Sequence, residues 1–268
     1  MNEIARVILV IFFGQAVASA SSKTLRQVLS PPEGFERVKV PEGSFGDFLR
    51  NLPVLPEGSP VLLHDGRPKA RQDVHLRVID IDLIGADLQQ CADAVMRLRA
   101  EYLWKSGRSD DVCFHFTSGD AVPWRRWRRG WRVRVAGSRV EWVRSTKPDS
   151  SYRQFRRYLR TIFTYAGSAS LQRELKHIPA TDVLPGDVLI RGGHPGHAML
   201  VVDVVENERG ERRFALAQSY MPAQQIHVVR VPGTNSPWYP VRRSGPLETP
   251  EWRFDYSDFY RFPERICR

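Results

Sequence analysis

The sequence predicts an α+β fold in which a helix that begins at Cys91 packs on an antiparallel sheet. Two observations support this prediction. Apolar residues recur at three- and four-residue spacing after Asp87, which is the pattern of an amphipathic helix. Farther along the chain, residues 187–219 form three apolar runs separated by glycine-containing turns, which is typical of an antiparallel meander. Helix and meander lie in different parts of the chain, as they do in α+β proteins.

Residues 1–20 have the layout of a secretory signal peptide. Arg6 precedes an apolar run that begins at Val7, and the small-residue tripeptide Ala18-Ser19-Ala20 follows. The apolar stretch is shorter than the roughly 20 residues that a membrane-spanning helix needs. We therefore expect cleavage near Ala20 and a periplasmic or secreted protein with no integral membrane anchor. An uncleaved signal anchor is the alternative.

The remaining residues, 21–268, have the length of a single α+β domain. We divide this domain into an N-terminal lead-in over residues 21–60 and a core over residues 61–268. In the lead-in, Ser44 is expected to cap a short helix. In the core, helices are expected from residue 87 onward, over 150–165 and over 171–176, and strands over 74–84, 112–117, 131–143, 187–191, 197–205, 213–219 and 225–231.

The charge balance favours anionic partners. Lysine and arginine number 40 against 30 acidic residues, which gives a formal net charge of +10. A basic surface concentrates anions, and for an exported protein we expect an anionic polymer or peptide of the cell envelope and no nucleic acid. The alternative is that the positive charge reflects composition alone, because arginine is abundant in proteins that GC-rich genomes encode.

Three cysteines are an odd number, so at least one lacks an intramolecular partner in an oxidising compartment. One possible arrangement is a Cys113–Cys267 bridge that leaves Cys91 free. Cys91 follows a glycine-containing turn and opens a helix, and the positive end of a helix dipole stabilises a thiolate. Cys91 is therefore the candidate nucleophile.

A cysteine nucleophile needs a base from elsewhere in the chain. His197 begins a strand, and Gln218 near the end of the next strand could hold its other ring nitrogen. Gln89 and Gln90, directly before the cysteine, could donate hydrogen bonds to an oxyanion. His194 competes with His197 for the role of base. A purely structural interpretation is equally open. In it, Cys91 is a buried small hydrophobic residue and His197 is a turn residue.

The sequence predicts no metal and no cofactor. Neither an HExxH pattern nor paired CxxC spacing is present. A zinc site built from His194 and His197 with His64-Asp65 or His115 is the weak alternative. Serine catalysis is not indicated, because the sequence lacks the GxSxG pattern.

The order of elements over residues 88–219 resembles the NlpC/P60 and wider papain-like superfamily. That superfamily has a helix headed by cysteine and a sheet whose first strands carry histidine and a third polar residue. The resemblance implies a papain-like fold, with Cys91, His197 and Gln218 as catalytic residues acting on an amide or ester bond, such as one in the peptidoglycan stem peptide. The motif usual around the NlpC/P60 nucleophile, Asp-Cys-Ser/Gly, is replaced here by Gln90-Cys91-Ala92.

A closer resemblance covers nearly the whole of residues 21–268. The chain is similar to the bacterial family called domain of unknown function 4846, a name that implies no activity. The strings that carry this resemblance are PEGSFGDFLRNLP (41–53), DLQQCADAVMRLRAEYLW (87–104), GGHPGHAMLVVD (192–203), AQSYMPAQQIHV (217–228), PWY (237–239) and TPEWRF (249–254).

A second class of function is a non-catalytic envelope module that binds glycan or peptide. In this alternative, residues 217–228 and 237–239 line a groove. The candidate contact residues for either function are Gln89, Gln90, His194, Ser219, Tyr220, Gln224, Trp238 and Tyr239, with His227 added for the binding module. Residues 124–134, in which arginines alternate with tryptophans, could grip anions or sugar rings; an edge hairpin with inward tryptophans and solvated arginines is the favoured interpretation.

Overall fold

A computed structural model describes residues 22–267. The predicted signal peptide lies outside the described residues. Within residues 22–267, no helix has both the length and the apolar composition needed to cross a membrane.

The structure is α+β, as predicted. Six α-helices are described, α1 (Leu25–Val28), α2 (Phe45–Arg50), α3 (Cys91–Lys105), α4 (Trp124–Trp127), α5 (Tyr152–Tyr165) and α6 (Ser168–Glu174). The strands are β1 (Phe35–Arg37), β2 (His75–Val78), β3 (Cys113–His115), β4 (Ala121–Pro123), β5 (Trp131–Ala136), β6 (Arg139–Arg144), β7 (Lys176–His177), β8 (Val188–Arg191), β9 (His197–Asn207), β10 (Arg212–Gln218), β11 (His227–Val229), β12 (Tyr239–Pro240), β13 (Pro246–Glu248), β14 (Arg253–Asp255) and β15 (Phe259–Arg261).

The main sheet has nine strands, all paired antiparallel. Its path runs β2-β11-β10-β9-β8-β15-β7, while β1 pairs with β9 and β12 pairs with β10. The predicted meander is therefore β8, β9, β10 and β11. Two-stranded sheets β3-β4, β5-β6 and β13-β14 lie outside it.

Apolar side chains form two clusters, one on each face of the main sheet. Side chains of successive strand residues point to opposite faces. On β9, Ala198 and Leu200 pack in the helix-side cluster with residues of α3 and α5. Met199 and Val201 pack in the outer cluster with residues of β14 and β15. The near-continuous apolar run of β9 thus reflects burial on both faces.

The lead-in packs on the same central strand. Ser44 caps α2 through a hydrogen bond from the Asp47 backbone N–H, as predicted. Arg37 Nε and Arg50 Nε donate to the two carboxylate oxygens of Asp203 on β9, at 2.6 and 2.7 Å. Asp203 is buried, and a buried carboxylate requires such partners. The lead-in therefore helps to hold β9 in place.

Three expectations need correction. The strand predicted over 131–143 is the β5–β6 hairpin, because the chain turns at Gly137, which has a positive φ. The strand predicted over 74–84 ends at Val78, because the next backbone N–H groups bond to Ile226 and Pro53 and the chain leaves the sheet. The basic loop predicted after β3 contains the short helix α4. Its Trp124 and Trp127 are buried, whereas Trp131 is only partly buried, so the tryptophans of this segment do not all pack inward.

A disulfide joins Cys113 on β3 to Cys267 and leaves Cys91 free. This is the pairing that the odd cysteine count suggested. The bond closes a separation of 154 positions and fixes the C-terminal end of the described chain to β3.

Candidate active site

A cavity of about 230 Å³ lies at the end of the main sheet where β9 begins. It contains both members of the predicted reacting pair. Its lining residues are Gln90, Cys91, Ala92, Asp93, Phe163, Ala166, Gly167, Ser168, Gly193, His194, Pro195, Gly196, His197, Tyr220, Met221 and Trp252. The helix start, the loop before β9 and the loop after β10 therefore converge on one space, as the sequence predicts.

Cys91 is the first residue of α3 and is partly exposed. The first N–H groups of a helix have no helical partner, and those of Cys91 and Ala92 face the sulfur together with the N–H of Ala198. These groups lower the pKa of the thiol. Burial and the Asp93 carboxyl oppose them and raise it to about 11. The helix start alone therefore does not produce the thiolate that the sequence suggested.

His197 is held by the predicted orienting residue. Its Nε2 lies 2.8 Å from Gln218 Oε1, and both side chains are buried. The ring also packs against those of Tyr220 and Trp252, at 4.9 and 5.3 Å between centroids. Burial lowers the pKa of His197 to about 4, so the imidazole is neutral at pH 7.

The direction of this hydrogen bond follows from residues that the sequence analysis missed. Gln218 Nε2 donates to Glu251 Oε2 at 2.7 Å, and Lys69 Nζ donates to the same oxygen. Because a carboxylate paired with a lysine only accepts hydrogen bonds, the Gln218 amide must present its oxygen to His197. His197 Nε2 therefore carries the proton, and Nδ1 keeps a lone pair.

Cys91 and His197 reach the cavity from different sides of the sheet. Cys91 packs against the helix-side cluster. His197 lies two residues before Met199 on β9, so the two side chains are on the same, outer face of the sheet. The His197 ring centroid lies 5.8 Å from that of Phe254 in the outer cluster. Among residues 22–267, no hydrogen bond joins the two side chains. Catalytic hydrogen bonds often form only in the substrate complex, so a Cys91–His197 bond would have to form at the cavity that both residues line.

Asp93 adds a carboxyl group beside the nucleophile. Its Oδ2 accepts a hydrogen bond from the Gln90 backbone N–H, which completes the start of α3. Its Oδ1 is buried without a hydrogen-bond partner, and burial raises the pKa of this carboxyl well above its ordinary value. No sequence pattern indicated it, because an acidic residue in the first helical turn is common.

The loop that carries His194 packs tightly on α6. A side chain at Gly196 would place its Cβ 2.4 Å from Ser168 Oγ and 2.6 Å from the Gly193 carbonyl oxygen. Only glycine fits this approach, which explains part of the GGHPG string. His194 itself is exposed on the cavity wall. It therefore remains a second candidate base.

Two of the predicted contact residues lie in the cavity wall besides His194. Tyr220 stacks on His197 and is partly exposed. Gln90 lines the cavity, but its side-chain Nε2 donates to Asp87 Oδ1 at 3.1 Å. The amide nitrogen has two N–H groups, so this bond orients the side chain and leaves the second N–H as the candidate oxyanion donor.

The other predicted contacts are structural. Gln89 is buried, and its Oε1 accepts from Arg97 at 3.1 Å. Ser219 Oγ lies 2.8 Å from the carbonyl oxygens of both Gln89 and Gln224, which share its single hydroxyl proton. Gln224 is likewise buried, and its Nε2 donates to the Pro222 carbonyl oxygen. None of these three lines the cavity, so the polar string 217–228 serves mainly to tie the loop after β10 to the start of α3.

Trp238 and Tyr239 do not line a groove. Trp238 is buried in the helix-side cluster, with Nε1 donating to the Ser30 carbonyl oxygen at 2.9 Å. Tyr239 is buried in the outer cluster, with its hydroxyl donating to the Arg230 carbonyl oxygen. Their aromatic surface stabilises the core. His227, the further contact expected for a binding module, is also fully buried.

The sequence profile of one protein family, described as a domain of unknown function (4846), matches residues 25–261. The chain belongs to this family. Every residue that lines the cavity lies inside the part of the chain that defines the family, and so do Gln218, Glu251 and Lys69. No curated protein and no solved structure matches the chain significantly. The family's description names no activity, so function has to be argued from the cavity.

Proposed function

We propose that this protein is an exported cysteine hydrolase or transferase of papain-like architecture that acts on an amide or ester bond. The observation that carries the proposal is the chain of hydrogen bonds from Lys69 through Glu251 and Gln218 to His197, which leaves His197 Nδ1 unprotonated at the cavity that contains Cys91. A neutral, oriented imidazole and a thiol that line the same cavity are the two groups that general-base catalysis of thiol attack requires.

The reaction follows from these groups. The Cys91 sulfur attacks the carbonyl carbon while its proton passes to His197 Nδ1. The tetrahedral intermediate collapses to a thioester as His197 returns the proton to the leaving amine or alkoxide. Water then attacks the thioester and gives a proton to His197, which passes it to the departing sulfur. A second amine or alcohol in place of water makes the protein a transferase.

The oxyanion of the intermediate would be stabilised by backbone donors. The unpaired N–H groups at the start of α3 face the sulfur, and preorganised donors of this kind supply a large part of acyl-transfer catalysis. Gln89 does not line the cavity and is therefore not assigned this role.

Peptidoglycan stem peptide is the first substrate class to test, by analogy with NlpC/P60 enzymes. The purified protein is incubated with a muropeptide library, and new amine termini are identified by mass spectrometry. Cleavage that is lost in Cys91→Ala and His197→Ala but retained in His194→Ala supports the proposal. The cleavage rate of Gln218→Leu should lie between that of His197→Ala and that of the unmodified protein, because the substitution lets the imidazole adopt the wrong tautomer. Cleavage retained in Cys91→Ala would refute cysteine catalysis.

A non-catalytic envelope-binding module is the second candidate. The observation in its favour is the pKa of Cys91, which burial raises to about 11, since a binding site has no need of a reactive thiol. Tyr220, His194 and Trp252 would then be the ligand contacts in the cavity. Muropeptide binding that persists unchanged in Cys91→Ala, without any cleavage product, would favour this candidate.

A further inference from the structure

The net positive charge of the chain is concentrated in one segment. Residues 121–165 contain thirteen lysines and arginines and only two acidic residues, Glu141 and Asp149. The other 223 positions contain 27 basic and 28 acidic residues. A compositional bias toward arginine would spread the excess along the chain. The distribution instead points to a local function.

This segment, here called the basic lobe, holds together as one body. Trp124 and Trp127 of α4 pack on Tyr158 of α5, with ring centroids 5.6 and 5.7 Å apart. The Arg132 guanidinium of β5 lies 4.4 Å from the Trp127 ring centroid. Helix α4, the β5-β6 hairpin and α5 therefore present their arginines on a common, rigid support.

One face of α5 carries three unpaired charges. Arg153, Arg157 and Arg160 are exposed, and their spacing of four and three residues places them on the same side of the helix. No ion pair within residues 22–267 involves any of them, although many arginines elsewhere are paired with carboxylates. Like charges at this spacing destabilise a helix, so a bound anion would relieve the repulsion.

A further exposed arginine, Arg126 of α4, stacks on the hairpin. The Arg126 guanidinium lies 4.8 Å from the Trp131 ring centroid and 4.5 Å from that of Trp142. Stacking on aromatic rings holds a guanidinium in place and leaves its N–H groups available to anions. A groove of about 390 Å³ lined by Pro123, Arg125, Arg126, Arg129 and Trp131 lies beside it.

We propose that the basic lobe binds an acidic polysaccharide. Its charges extend from Arg153 to Arg160, eight residues of α5 with a rise of about 10 Å, and over the hairpin. This spread suits a chain of repeated anions better than a single small one. The exposed large apolar side chains of residues 22–267 are Tyr152, Tyr165 and Met221. Tyr152 and Tyr165 lie at the two ends of α5, but the Tyr152 hydroxyl donates to Glu101 Oε1 and the Tyr165 ring packs on that of Phe116. Neither projects as the apolar wedge that lipid insertion uses.

The lobe also adjoins the candidate active site. Helix α5 ends at Tyr165, and its Phe163 lines the cavity that contains Cys91. The C-terminal end of α5 therefore lies at the cavity, and a polysaccharide bound along the helix would run toward that end. Binding at the lobe does not depend on catalysis, and Cys91→Ala is expected to bind normally.

The test uses polygalacturonate and heparin as carboxylated and sulfated probes, with affinities measured by isothermal titration calorimetry at several salt concentrations. The variant is Arg153→Gln/Arg157→Gln/Arg160→Gln. The matched control is Arg209→Gln/Arg242→Gln/Arg243→Gln, which removes the same charge from exposed arginines outside the lobe. We expect at least a tenfold loss of affinity and a shallower salt dependence for the first variant, and little change for the control.

A charge-preserving variant, Arg153→Lys/Arg157→Lys/Arg160→Lys, separates charge from fold and should retain most of the affinity. Equal losses in the variant and the matched control would show that only net charge matters and would overturn the proposal. So would no measurable affinity in the unmodified protein, or tighter binding to phosphatidylglycerol vesicles than to either polysaccharide. Failure of the unmodified protein to cleave muropeptides, with polysaccharide binding intact, would refute the proposed catalysis and leave this proposal standing.

Discussion

The pH dependence of alkylation at Cys91 distinguishes a neutral resting pair from a preformed thiolate–imidazolium pair. Burial and Asp93 raise the pKa of Cys91 to about 11, and burial lowers the pKa of His197 to about 4. Between these values both groups are neutral. At pH 7 the thiolate fraction is then on the order of 10⁻⁴, against about 10⁻² for a thiol with an ordinary pKa near 9.0.

The rate follows from this fraction. A more basic thiolate is a better nucleophile, and a Brønsted coefficient of about 0.5 recovers roughly tenfold over two pKa units. We therefore expect iodoacetamide to alkylate Cys91 about tenfold more slowly at pH 7 than it alkylates the same thiol in urea. Between pH 6 and 10 the rate should rise about tenfold per pH unit.

Intact-mass spectrometry follows the adduct, and Cys91→Ser provides the blank, because Cys113 and Cys267 are joined in a disulfide. A rate that stays high and flat between pH 5 and 8, and is lost in His197→Ala, would refute the reasoning. It would mean that the helix start and the imidazole overcome the cost of burying the thiolate. The proton transfer to His197 would then precede substrate attack.

Three other outcomes follow from the structure. Asp93→Asn removes a carboxyl that raises the pKa of Cys91, so its alkylation at pH 7 should be faster than in the unmodified protein; an identical pH profile would show that Asp93 carries no charge there. Burial lowers the pKa of His227 to about 3 from 6.5, so its contribution to stability is present above pH 6.5 and is lost as the pH falls toward 3, up to about 5 kcal/mol. The difference between the urea-unfolding pH profiles of His227→Gln and the unmodified protein should recover that loss, and parallel profiles would contradict it. Cys113→Ser/Cys267→Ser opens a separation of 154 positions, for which chain entropy gives about 5 kcal/mol; a melting temperature equal to that of the unmodified protein would argue against this role.

The sequence was sufficient for the elements that depend on local chemistry. The start of α3 at Cys91 and the order of strands β8 to β11 follow from periodicity and turn residues. His197 and Gln218 were paired correctly because neighbouring strands of a meander bring their ends together. The face of the sheet on which each side chain lies was not predictable in the same way. Strand β9 is buried on both sides, so no alternation of polar and apolar residues marks which side His197 takes.

The parts of the site that the sequence did not predict depend on contacts between residues far apart in the chain. Lys69 and Glu251 are 182 positions apart, and nothing local to either indicates the pairing. Trp238 and Tyr239 were expected in a groove because exposed aromatic residues often bind ligands, but aromatic side chains also supply much of a core. Gln224 was predicted to contact a ligand but is buried. A polar side chain can be buried when it hydrogen-bonds to nearby backbone groups, as Gln224 does to the Pro222 carbonyl oxygen.

The attachment of Arg37 and Arg50 to Asp203 on β9 affects how the protein can be divided for experiments. His197 and Asp203 lie on the same strand, β9, and both arginines donate hydrogen bonds to Asp203. A truncated version starting at residue 61 would leave a buried carboxylate without counter-ions, a loss of about 3–5 kcal/mol for a broken buried pair. The shortest piece worth expressing for enzymology therefore includes the lead-in, and fusion partners are better joined ahead of it than in its place.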